Sequence, residues 1–346
     1  MRVFVGMSGG VDSSLTAALL KEQGHDVTGV YMKNWTQDLP GMRCPWADDL
    51  ADAKRVAVQL GIDFRVFDFE KEYKHKVVDY MVAEYEAGRT PNPDIMCNQE
   101  VKFKLFLETA LEQGADMIAT GHYARTEGGR LLRAQDNNKD QTYFLYRVSQ
   151  AALEKTLFPL GGYKKSEVRE MAKERGLYTA GKKDSQGICF VGQIGMREFL
   201  SQYTETAPGN IVDKQSGKAL GRHDGAIFYT LGQRHGLDIG GGLPYYVVGK
   251  DMAKNEVYVS TNLNDESMWR SEVRLTDIHW INDGPPTIFH LPSSMLQVRI
   301  RHRAPLVRCK LKDDILILSE PQRAITPGQS AVLYDGDICL GGGIVG

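Results

Sequence analysis

The sequence predicts an α/β fold in which a helix-covered parallel sheet is followed by a small mixed module and a β-barrel. Strands and helices alternate from residue 1 to about residue 200, which is typical of a parallel sheet. From about residue 205 glycines become frequent and the apolar runs shorten. Near the C-terminus, "SAVLYDGDICLGG" predicts a hairpin with its tight turn at Asp335-Gly336. We therefore expect three domains, at 1–200, 201–270 and 271–346.

The elements of the first domain follow from hydrophobic periodicity. An apolar strand at residues 3–5 leads through small residues into a helix whose apolar stripe contains Val11, Leu15, Ala18 and Leu19. The later strands are "DVTGVYM", "DFRVFDF" and "DMIATG", and the helices between them are "DLADAKRVAVQLG", a segment around 73–81 and "VKFKLFLETALEQG". Ligands of parallel sheets bind at the carboxyl ends of the strands. Residues 6–14, Met32 and Gly121 are expected to gather there.

Composition favours a globular protein of a reducing compartment. Of the 346 residues, 42% are apolar and 25% are charged, and no run approaches membrane-spanning length. Because the chain passes from Met-Arg directly into a strand, we expect no signal peptide and a cytoplasmic protein with no membrane partner. The five cysteines lack CxxC pairs, which argues against a disulfide scaffold. The net charge of −2 means that any nucleic-acid site must come from local basic patches.

The stretch "SGGVDSS", directly after the first strand, predicts a phosphate-binding turn. Backbone N–H groups of small residues and the N-terminus of the following helix can close on an anion. No lysine follows the glycines, unlike in a P-loop, where lysine serves γ-phosphoryl transfer. The turn therefore suits an enzyme in which a nucleophile attacks the α phosphorus of ATP and pyrophosphate leaves. Asp12 could position Mg²⁺, and Ser8, Ser13 and Ser14 could bind phosphate oxygens. The structural alternative is a glycine turn that packs a helix tightly on a strand.

The stretch "TPNPDIMCNQEVKF" places Asp94 and Cys97 three residues apart in a proline-rich loop. A helix is predicted to begin near Asn98, so that its dipole would favour the Cys97 thiolate. Asp94 could relay a proton. The alternative is that Cys97 is a small buried apolar residue beside Ile95 and Met96.

The stretch "KKDSQGICFVG" places Cys189 after a glycine and near Lys182 and Lys183, cations that favour a thiolate. Its alternative is a buried cysteine in a strand. Together, Cys97 and Cys189 suit a persulfide carrier and its resolving partner. A three-thiolate iron–sulfur site with Cys44 stays open, although the lack of CxxC disfavours it. Cys309 and Cys339 lie in apparent strands and are expected in the core.

The stretch "QVRIRHRAPLVRCKLK" carries six basic residues and no acid. Arg299, Arg301 and Arg303 alternate and are expected on one face of a strand, and Arg308, Lys310 and Lys312 on one face of the next. Two such faces could follow a phosphate backbone, and neutralising Arg301 would then flatten the salt dependence of binding. A solvated strand face is the alternative.

Taken together, the motifs resemble a known family. They are SGGVDSS, PNPD-x-x-CN, GHYAR, KDQTYFL, DSQGICF, GRHDGAIFYTLGQRHGL and TPGQSAVLYDGDICLGGG. SGGVDSS resembles the PP-loop ATP pyrophosphatases, and the whole set, from residue 3 to the C-terminus, resembles the bacterial tRNA-specific 2-thiouridylases. The resemblance implies a Rossmann-like PP-loop domain of the adenine nucleotide alpha hydrolase type, a central domain and a tRNA-binding β-barrel.

The resemblance also implies the chemistry of a tRNA-uridine 2-sulfurtransferase. ATP with Mg²⁺ would adenylate O2 of the wobble uridine in the tRNAs for Lys, Glu and Gln, and sulfur would then displace AMP to give 2-thiouridine. Cys189 would carry a persulfide received from a cysteine desulfurase or a sulfur-relay carrier. Cys97 would release the sulfur, leaving a Cys97–Cys189 disulfide, and Asp94 would act as acid or base.

The binding residues implied by motif position fall into three groups, and no resident metal site is implied. Those expected to bind ATP are Gly6, Met7, Ser8, Gly9, Gly10, Val11, Asp12, Ser13, Met32 and Gly121. Those expected to contact the flipped-out target base are Asn92, Pro93 and Asp94. Those expected to contact tRNA are His122, Lys139, Asp140, Gln141, Arg301, His302 and Gln329.

Two other classes of function share part of this pattern. An ATP-dependent amide or ammonia ligase would have the same turn but would need neither Cys97 nor Cys189. A nucleotide-sensing RNA-binding protein would consume no ATP. Formation of AMP, pyrophosphate and thiolated uridine together distinguishes the thiouridylase from both.

Overall fold

The computed structural model describes residues 1–38, 44–183, 195–240, 242–262, 264–282 and 296–346. In the N-terminal part the strands are β1 (Arg2–Gly6), β2 (Asp26–Lys33), β3 (Asp63–Asp68), β4 (Met117–Ala119), β5 (Ala124–Glu127), β6 (Arg130–Arg133) and β7 (Thr156–Leu157). The helices are α1 (Val11–Glu22), α2 (Trp46–Leu60), α3 (Glu70–Tyr73), α4 (Asp79–Glu86), α5 (Pro93–Met96), α6 (Phe106–Glu112), α7 (Thr142–Leu145), α8 (Gln150–Glu154), α9 (Lys165–Glu174) and α10 (Met196–Leu200).

Five of these strands form a parallel sheet in the order β3-β2-β1-β4-β7. Alternate residues of β1 are buried on opposite faces: Val3 and Val5 pack toward α1 and α2, and Phe4 packs toward α6. The predicted alternation of strands and helices is confirmed, and helices cover both faces of the sheet. The carboxyl ends of β1, β2 and β4 consequently meet at one edge.

Two helices contain π-helical stretches. Lys74–Val78 joins α3 to α4, and Cys97–Leu105 joins α5 to α6 into one helix over residues 93–112. This helix begins at Pro93, with Asn92 as its N-cap, so the start expected near Asn98 is wrong. Proline at the first helical position costs no hydrogen bond, which explains the earlier start. Cys97 therefore lies beyond the first four helical residues, where the dipole effect is already weaker.

The central part forms a mixed four-stranded sheet in the order β10-β11-β8-β9. Its strands are β8 (Gly209–Asp213), β9 (Ala219–His223), β10 (Tyr246–Asp251) and β11 (Glu256–Ser260). Single turns of 3₁₀-helix occupy Ala226–Phe228 and Glu266–Met268. The change of architecture expected after the parallel sheet is present.

The C-terminal part is a closed six-stranded antiparallel barrel in the order β12-β15-β14-β13-β16-β17, closed by pairing of β12 with β17. Its strands are β12 (Trp269–Trp280), β13 (Leu296–Arg299), β14 (Val307–Lys312), β15 (Ile315–Arg323), β16 (Ser330–Asp335) and β17 (Ile338–Val345). Asp335 pairs with Ile338, so the predicted hairpin is confirmed with its turn one residue later. The fold class is thus the predicted one, whereas the domain boundaries at 200 and 270 stay predictions.

The barrel also receives strands from the first part of the chain. The hairpin β5–β6 adds to β17 through the pairs Leu131–Cys339 and Leu132–Ile338. Cys309 and Cys339 are buried at 3% and 0% exposure, as expected, and burial raises the pKa of the Cys309 thiol to about 12. The N-terminal part and the barrel are therefore joined by backbone hydrogen bonds of the β5–β6 hairpin as well as by side chains.

Of the two basic strand faces predicted in the barrel, the first prediction is wrong and the second is confirmed. β13 ends at Arg299, which is 5% exposed because its guanidinium pairs with buried Asp140 at 2.8 Å. Arg301 and Arg303 lie in the turn that follows, so the three arginines do not share a strand face. Arg308, Lys310 and Lys312 are exposed on β14, as the alternation predicts.

Among the described residues, no helix is long and apolar enough to cross a membrane.

Candidate nucleotide and thiol site

The turn between β1 and α1, here called the glycine loop (residues 6–14), is held by its own serines. Ser13 Oγ accepts a hydrogen bond from the Ser8 N–H at 3.2 Å and donates to the Gly10 carbonyl at 3.2 Å. Gly9 has φ +74°, and a Cβ there would lie 2.4 Å from the Asp49 carbonyl oxygen. The N-cap residue of α1 is Gly10, which has no side chain with which to cap the helix. The first N–H groups of α1 are therefore left for an anion, which fits the predicted phosphate site.

A lysine reaches the glycine loop from a distant helix. Lys165, at the start of α9, places Nζ 2.7 and 2.8 Å from the two carboxylate oxygens of Asp12. Tyr123 donates its hydroxyl hydrogen to the same carboxylate at 2.8 Å. Because Lys165 is 153 residues from Asp12, the local motif gave no signal for it. Asp12, expected to position Mg²⁺, is in this structure paired with a cation of the chain itself.

The other residues expected at the nucleotide gather around this loop. Gly6 abuts Met32, since a Cβ on Gly6 would lie 3.0 Å from the Met32 Cε. A Cβ on Gly121 would lie 2.8 Å from the Ser13 nitrogen, so Gly121 backs directly onto the first turn of α1. The structure thus brings Met32 and Gly121 to the glycine loop, and their binding of ATP stays a prediction.

The second expected region, here called the Thr90 segment (residues 88–98), presents Asp94 near its middle. The Asn92 side chain accepts a hydrogen bond from the Asp94 N–H at 3.2 Å and so caps the helix that starts at Pro93. Burial raises the pKa of the Asp94 carboxyl, and the Lys102 ammonium partly offsets that rise. A carboxyl group with a raised pKa is suited to exchange a proton near neutral pH.

Cys97 is 2% exposed and lies in one apolar cluster with Trp35, Cys44 and Phe199. Cys44 approaches the Trp35 carbonyl, and burial raises the pKa of its thiol. Cys189 lies outside the described residues, so the expected pairing of Cys97 with Cys189 stays a prediction. Among the described residues, no group of three or more His, Cys, Asp and Glu side chains is placed to hold a metal ion.

His122 connects the two regions. It follows Gly121 at the end of β4, and its ring lies 5.6 Å from the ring of Phe103, on the helix that carries Cys97. Thr120 Oγ1 is 2.8 Å from Nδ1 of His122. Burial, together with the Lys102 charge, holds the pKa of His122 well below its usual value. A neutral imidazole and a buried carboxyl group therefore share one cation, Lys102, which the sequence analysis missed because nothing local distinguishes it from other helical lysines.

The remaining residues expected to contact tRNA make mainly internal contacts. Asp140 is 0% exposed and pairs with Arg299, and Gln141 accepts the Tyr123 N–H at 2.8 Å. Lys139 is partly exposed. Direct contact of the Asp140 carboxylate with tRNA would need this buried pair to open, and the predicted roles of all three stay predictions.

The three barrel residues expected to contact tRNA have different partners in the structure. Arg301 donates to the Ala324 carbonyl, and His302 packs its ring 4.4 Å from that of Phe144. Burial lowers the pKa of His302 to about 4, so this imidazole is neutral at physiological pH. Gln329 donates its side-chain amide to the Thr90 carbonyl at 2.7 Å. Gln329 therefore connects the barrel to the Thr90 segment, and His302 connects it to Phe144 of α7; the contact of all three residues with tRNA stays a prediction.

Comparisons with known proteins cover the whole chain. Family models match residues 1–193 (tRNA methyl transferase HUP domain), 197–261 (tRNA methyl transferase PRC-barrel domain) and 270–345 (aminomethyltransferase beta-barrel domain). A protein of Listeria monocytogenes serotype 4b named tRNA-specific 2-thiouridylase MnmA is 50% identical over 355 residues, covering 100% of this chain and 94% of the relative. The equally named protein of Geobacillus thermodenitrificans is 48% identical, covering 99% and 94%.

Among solved structures, a 4-thiouridine synthetase–RNA complex with bound ATP matches 58% of this chain and 50% of that chain, at 20% identity and a TM-score of 0.39. The family models are named for methyl transfer, whereas the relatives that match along almost their whole length are 2-thiouridylases. Identity of about one half over nearly the full length of both chains establishes kinship for all three parts together. The chain therefore belongs to the tRNA-specific 2-thiouridylases, a family of tRNA-modifying sulfurtransferases.

Proposed function

We propose that the protein converts the wobble uridine of the tRNAs for Lys, Glu and Gln to 2-thiouridine, with ATP as the activating substrate. The observation that carries the proposal is the meeting of two regions at His122. The glycine loop abuts Gly121, and the next residue contacts the helix that carries Asp94 and Cys97. Activation of a base and delivery of sulfur need such an arrangement, because the oxygen that is adenylated and the carbon that sulfur attacks are bonded to each other.

The glycine loop suits a polyphosphate such as that of ATP, whose negative charge is distributed over several phosphate groups. Uncapped N–H groups at α1 would hold the β and γ phosphates, and Lys165 would add a cation close to Asp12. The uridine O2 would attack the α phosphorus and expel pyrophosphate. Asp12 is the carboxylate closest in sequence to the serines of the loop, and it would bind Mg²⁺ if Mg²⁺ accompanies ATP. Lys165 would then leave Asp12 and pair with phosphate oxygens.

The Thr90 segment would take the extruded uridine. Asn92, Pro93 and Asp94 begin the helix, and Asp94 has the raised pKa suited to remove the uridine N3 proton as O2 attacks. Adenylation makes O2 a leaving group, so that a sulfur nucleophile can replace it at C2.

Sulfur would arrive as a persulfide on Cys189. Attack of the Cys97 thiolate on the Cys189 Sγ would form a Cys97–Cys189 disulfide and release hydrosulfide, which attacks C2 and expels AMP. A thiol reductant must then reduce the disulfide before the next turnover. The sulfur donor would be a cysteine desulfurase or a sulfur-relay carrier, and we infer that the reaction takes place in the cytoplasm, where tRNA and such reductants are available.

The test is a reaction with the purified chain, ATP, Mg²⁺, an unmodified tRNA-Lys transcript and sulfide. AMP, pyrophosphate and a thiolated uridine, measured by chromatography and by retardation in a mercury-containing gel, should appear in equal amounts. A transcript with cytidine at the wobble position is the matched control and should give none of the three.

Two results would contradict the proposal. Formation of ADP in place of AMP would move the attack to the γ phosphorus, and a Cys189→Ser variant that still thiolates tRNA from a persulfide donor would remove the carrier. An ammonia ligase would release AMP without needing tRNA, and an RNA-binding sensor would release neither product.

A further inference from the structure

The backbone of Thr90, at the entrance to the Thr90 segment, is held by the two other parts of the chain. Its N–H donates to the Pro327 carbonyl at 2.8 Å, and its carbonyl accepts from the Gln329 side chain at 2.7 Å. Its hydroxyl lies 3.2 Å from the hydroxyl of Thr230, in the central part. Thr90 is 8% exposed, so these three contacts satisfy its polar groups away from bulk water.

The approach of the barrel to this backbone is too close for an ordinary residue. Gly328 has φ +89°, and a Cβ there would lie 2.8 Å from the Thr90 nitrogen and 2.9 Å from the Arg89 Cβ. On the barrel side, Gly328 N–H donates to the Val345 carbonyl at 2.9 Å, which fixes the loop to the end of β17. The barrel contact is therefore anchored in the barrel wall.

The central part makes the matching contact from the other side. Thr230 N–H donates to the Gln233 side chain at 3.0 Å, and Lys250 donates to the neighbouring Tyr229 carbonyl at 3.0 Å. Gly88, with φ +77°, lies against Met252, since its Cβ would be 2.7 Å from the Met252 Cγ. Thr230 thus presents its hydroxyl from a restrained turn.

The chain between Thr90 and the functional residues is short and stiff. Pro91 and Pro93 each fix one φ angle, and Asn92 closes onto the Asp94 N–H at 3.2 Å. Few rotatable bonds are left between the Thr90 carbonyl and the Asp94 side chain. An orientation imposed at Thr90 is consequently passed on to Asn92 and Asp94.

We propose that Thr230 and Gln329 are positioning residues which, through Thr90, set the orientation of Asn92 and Asp94 toward the target base. This inference rests on the proposed thiolation of a uridine. It gives the central part a task in the reaction, and it assigns Gln329 an internal role in place of the direct tRNA contact that the family resemblance implies.

The two roles of Gln329 differ in measurable ways. We expect Thr230→Val and Gln329→Ala each to lower kcat for thiolation roughly 10-fold, because small misplacement of reacting groups is costly, while the Kd for tRNA changes less than twofold. Because both act through Thr90, the double variant should lose about as much as either single variant, not the product of the two losses. Thr276→Val and Gln322→Ala, on the barrel exterior, are the matched controls.

Hydrogen exchange of the free protein supplies a readout that does not depend on activity. Peptides covering residues 88–96 should exchange faster in both variants and not in the controls, while peptides of α1 keep the exchange of the unsubstituted protein. A higher Kd for tRNA in Gln329→Ala with unchanged kcat and unchanged exchange would overturn the proposal in favour of direct contact. If the unsubstituted protein formed no thiouridine, the proposed function would fail, whereas unchanged exchange in the variants would reject the positioning role alone.

Discussion

The glycine loop and the Thr90 segment are the two functional regions of the N-terminal part, and they are built in opposite ways. The glycine loop is held by hydrogen bonds among Ser8, Gly10 and Ser13, and its Asp12 is bound by Lys165 and Tyr123, so all of these partners belong to the N-terminal part itself. The Thr90 segment is held by residues from more than 100 positions away, in two other parts of the chain. The glycine loop can therefore form together with the parallel sheet, whereas the Thr90 segment is complete only when all three parts of the chain have docked.

This difference suits the two half-reactions. An anion is bound by backbone N–H groups that hardly need adjustment. A flipped-out base must be bound by side chains that are held in one fixed orientation. Contacts from all three parts of the chain can hold the Thr90 segment rigid in this way. The comparison predicts that distant substitutions affect the Thr90 segment more than the glycine loop.

The largest effect is expected at Cys97. Cys97→Ser should lower the rate of tRNA thiolation from a persulfide donor by at least about 10³-fold, since loss of a nucleophile removes a step that no neighbour can replace. ATP affinity, measured by equilibrium dialysis, should stay within twofold because Cys97 is proposed to act on sulfur and not on ATP. Cys309→Ala, in the barrel core, is the control and should keep most of its activity. A Cys97→Ser variant with full activity would show that sulfur reaches C2 without this thiol.

The second largest effect is expected at the ion pair that connects the N-terminal part to the barrel. Arg299→Met removes the nearer of the two arginines that pair with the fully buried Asp140 carboxylate, leaving Arg133 at 3.8 Å, and should lower the free energy of unfolding by about 3 kcal/mol. The free energy is measured by urea denaturation, and Arg308→Met, at an exposed position of β14, should change the free energy of unfolding by less than about 0.5 kcal/mol.

The same variant tests the comparison itself. If the docked barrel orients the Thr90 segment, Arg299→Met should reduce thiolation at temperatures where the protein is still folded, with ATP affinity preserved. Equal loss of both properties would mean that the glycine loop depends on the barrel as much as the Thr90 segment does.

The third effect isolates the glycine loop. Lys165→Met should lower kcat/KM for ATP by about 10²–10³-fold, a loss typical of removing one charge-stabilising donor. Lys165→Arg should recover part of the loss, and Lys173→Ala, exposed at the end of the same helix, should have little effect. Positional isotope exchange within ATP reports the first half-reaction alone, and an unchanged rate there would remove Lys165 from the phosphate chemistry.

What the sequence predicted follows the same division. Strand alternation, the SGGVDSS turn and the gathering of Met32 and Gly121 were predicted because periodicity and small residues act locally. Lys165, Thr230 and Lys102 were missed because their partners lie elsewhere in the sequence or because they resemble other surface residues. The exposure of Arg299 was predicted wrongly. Alternation shows which residues lie on the same face of a strand but not whether that face is exposed, and Arg299 is buried with the carboxylate of Asp140.

The smallest effect is a shift in pH dependence at the Thr90 segment. Burial raises the pKa of Asp94 and the Lys102 ammonium lowers it, so Lys102→Met should raise that pKa further. If ionised Asp94 removes the uridine proton, thiolation is lost as pH falls through this pKa. The acidic limb of kcat/KM should therefore move to higher pH.

The same lysine also acts on His122. Lys102 also contributes to the lowered pKa of His122, so removing the cation raises both pKa values together. Lys102→Arg keeps the charge and should leave the limb in place, and Lys104→Met removes a charge that pairs with Glu100 on the same helix. An acidic limb that moves equally in Lys104→Met would show a general field along the helix. An acidic limb that moves only in Lys102→Met would identify this lysine as the group that couples Asp94 to His122 and so joins the two regions electrostatically.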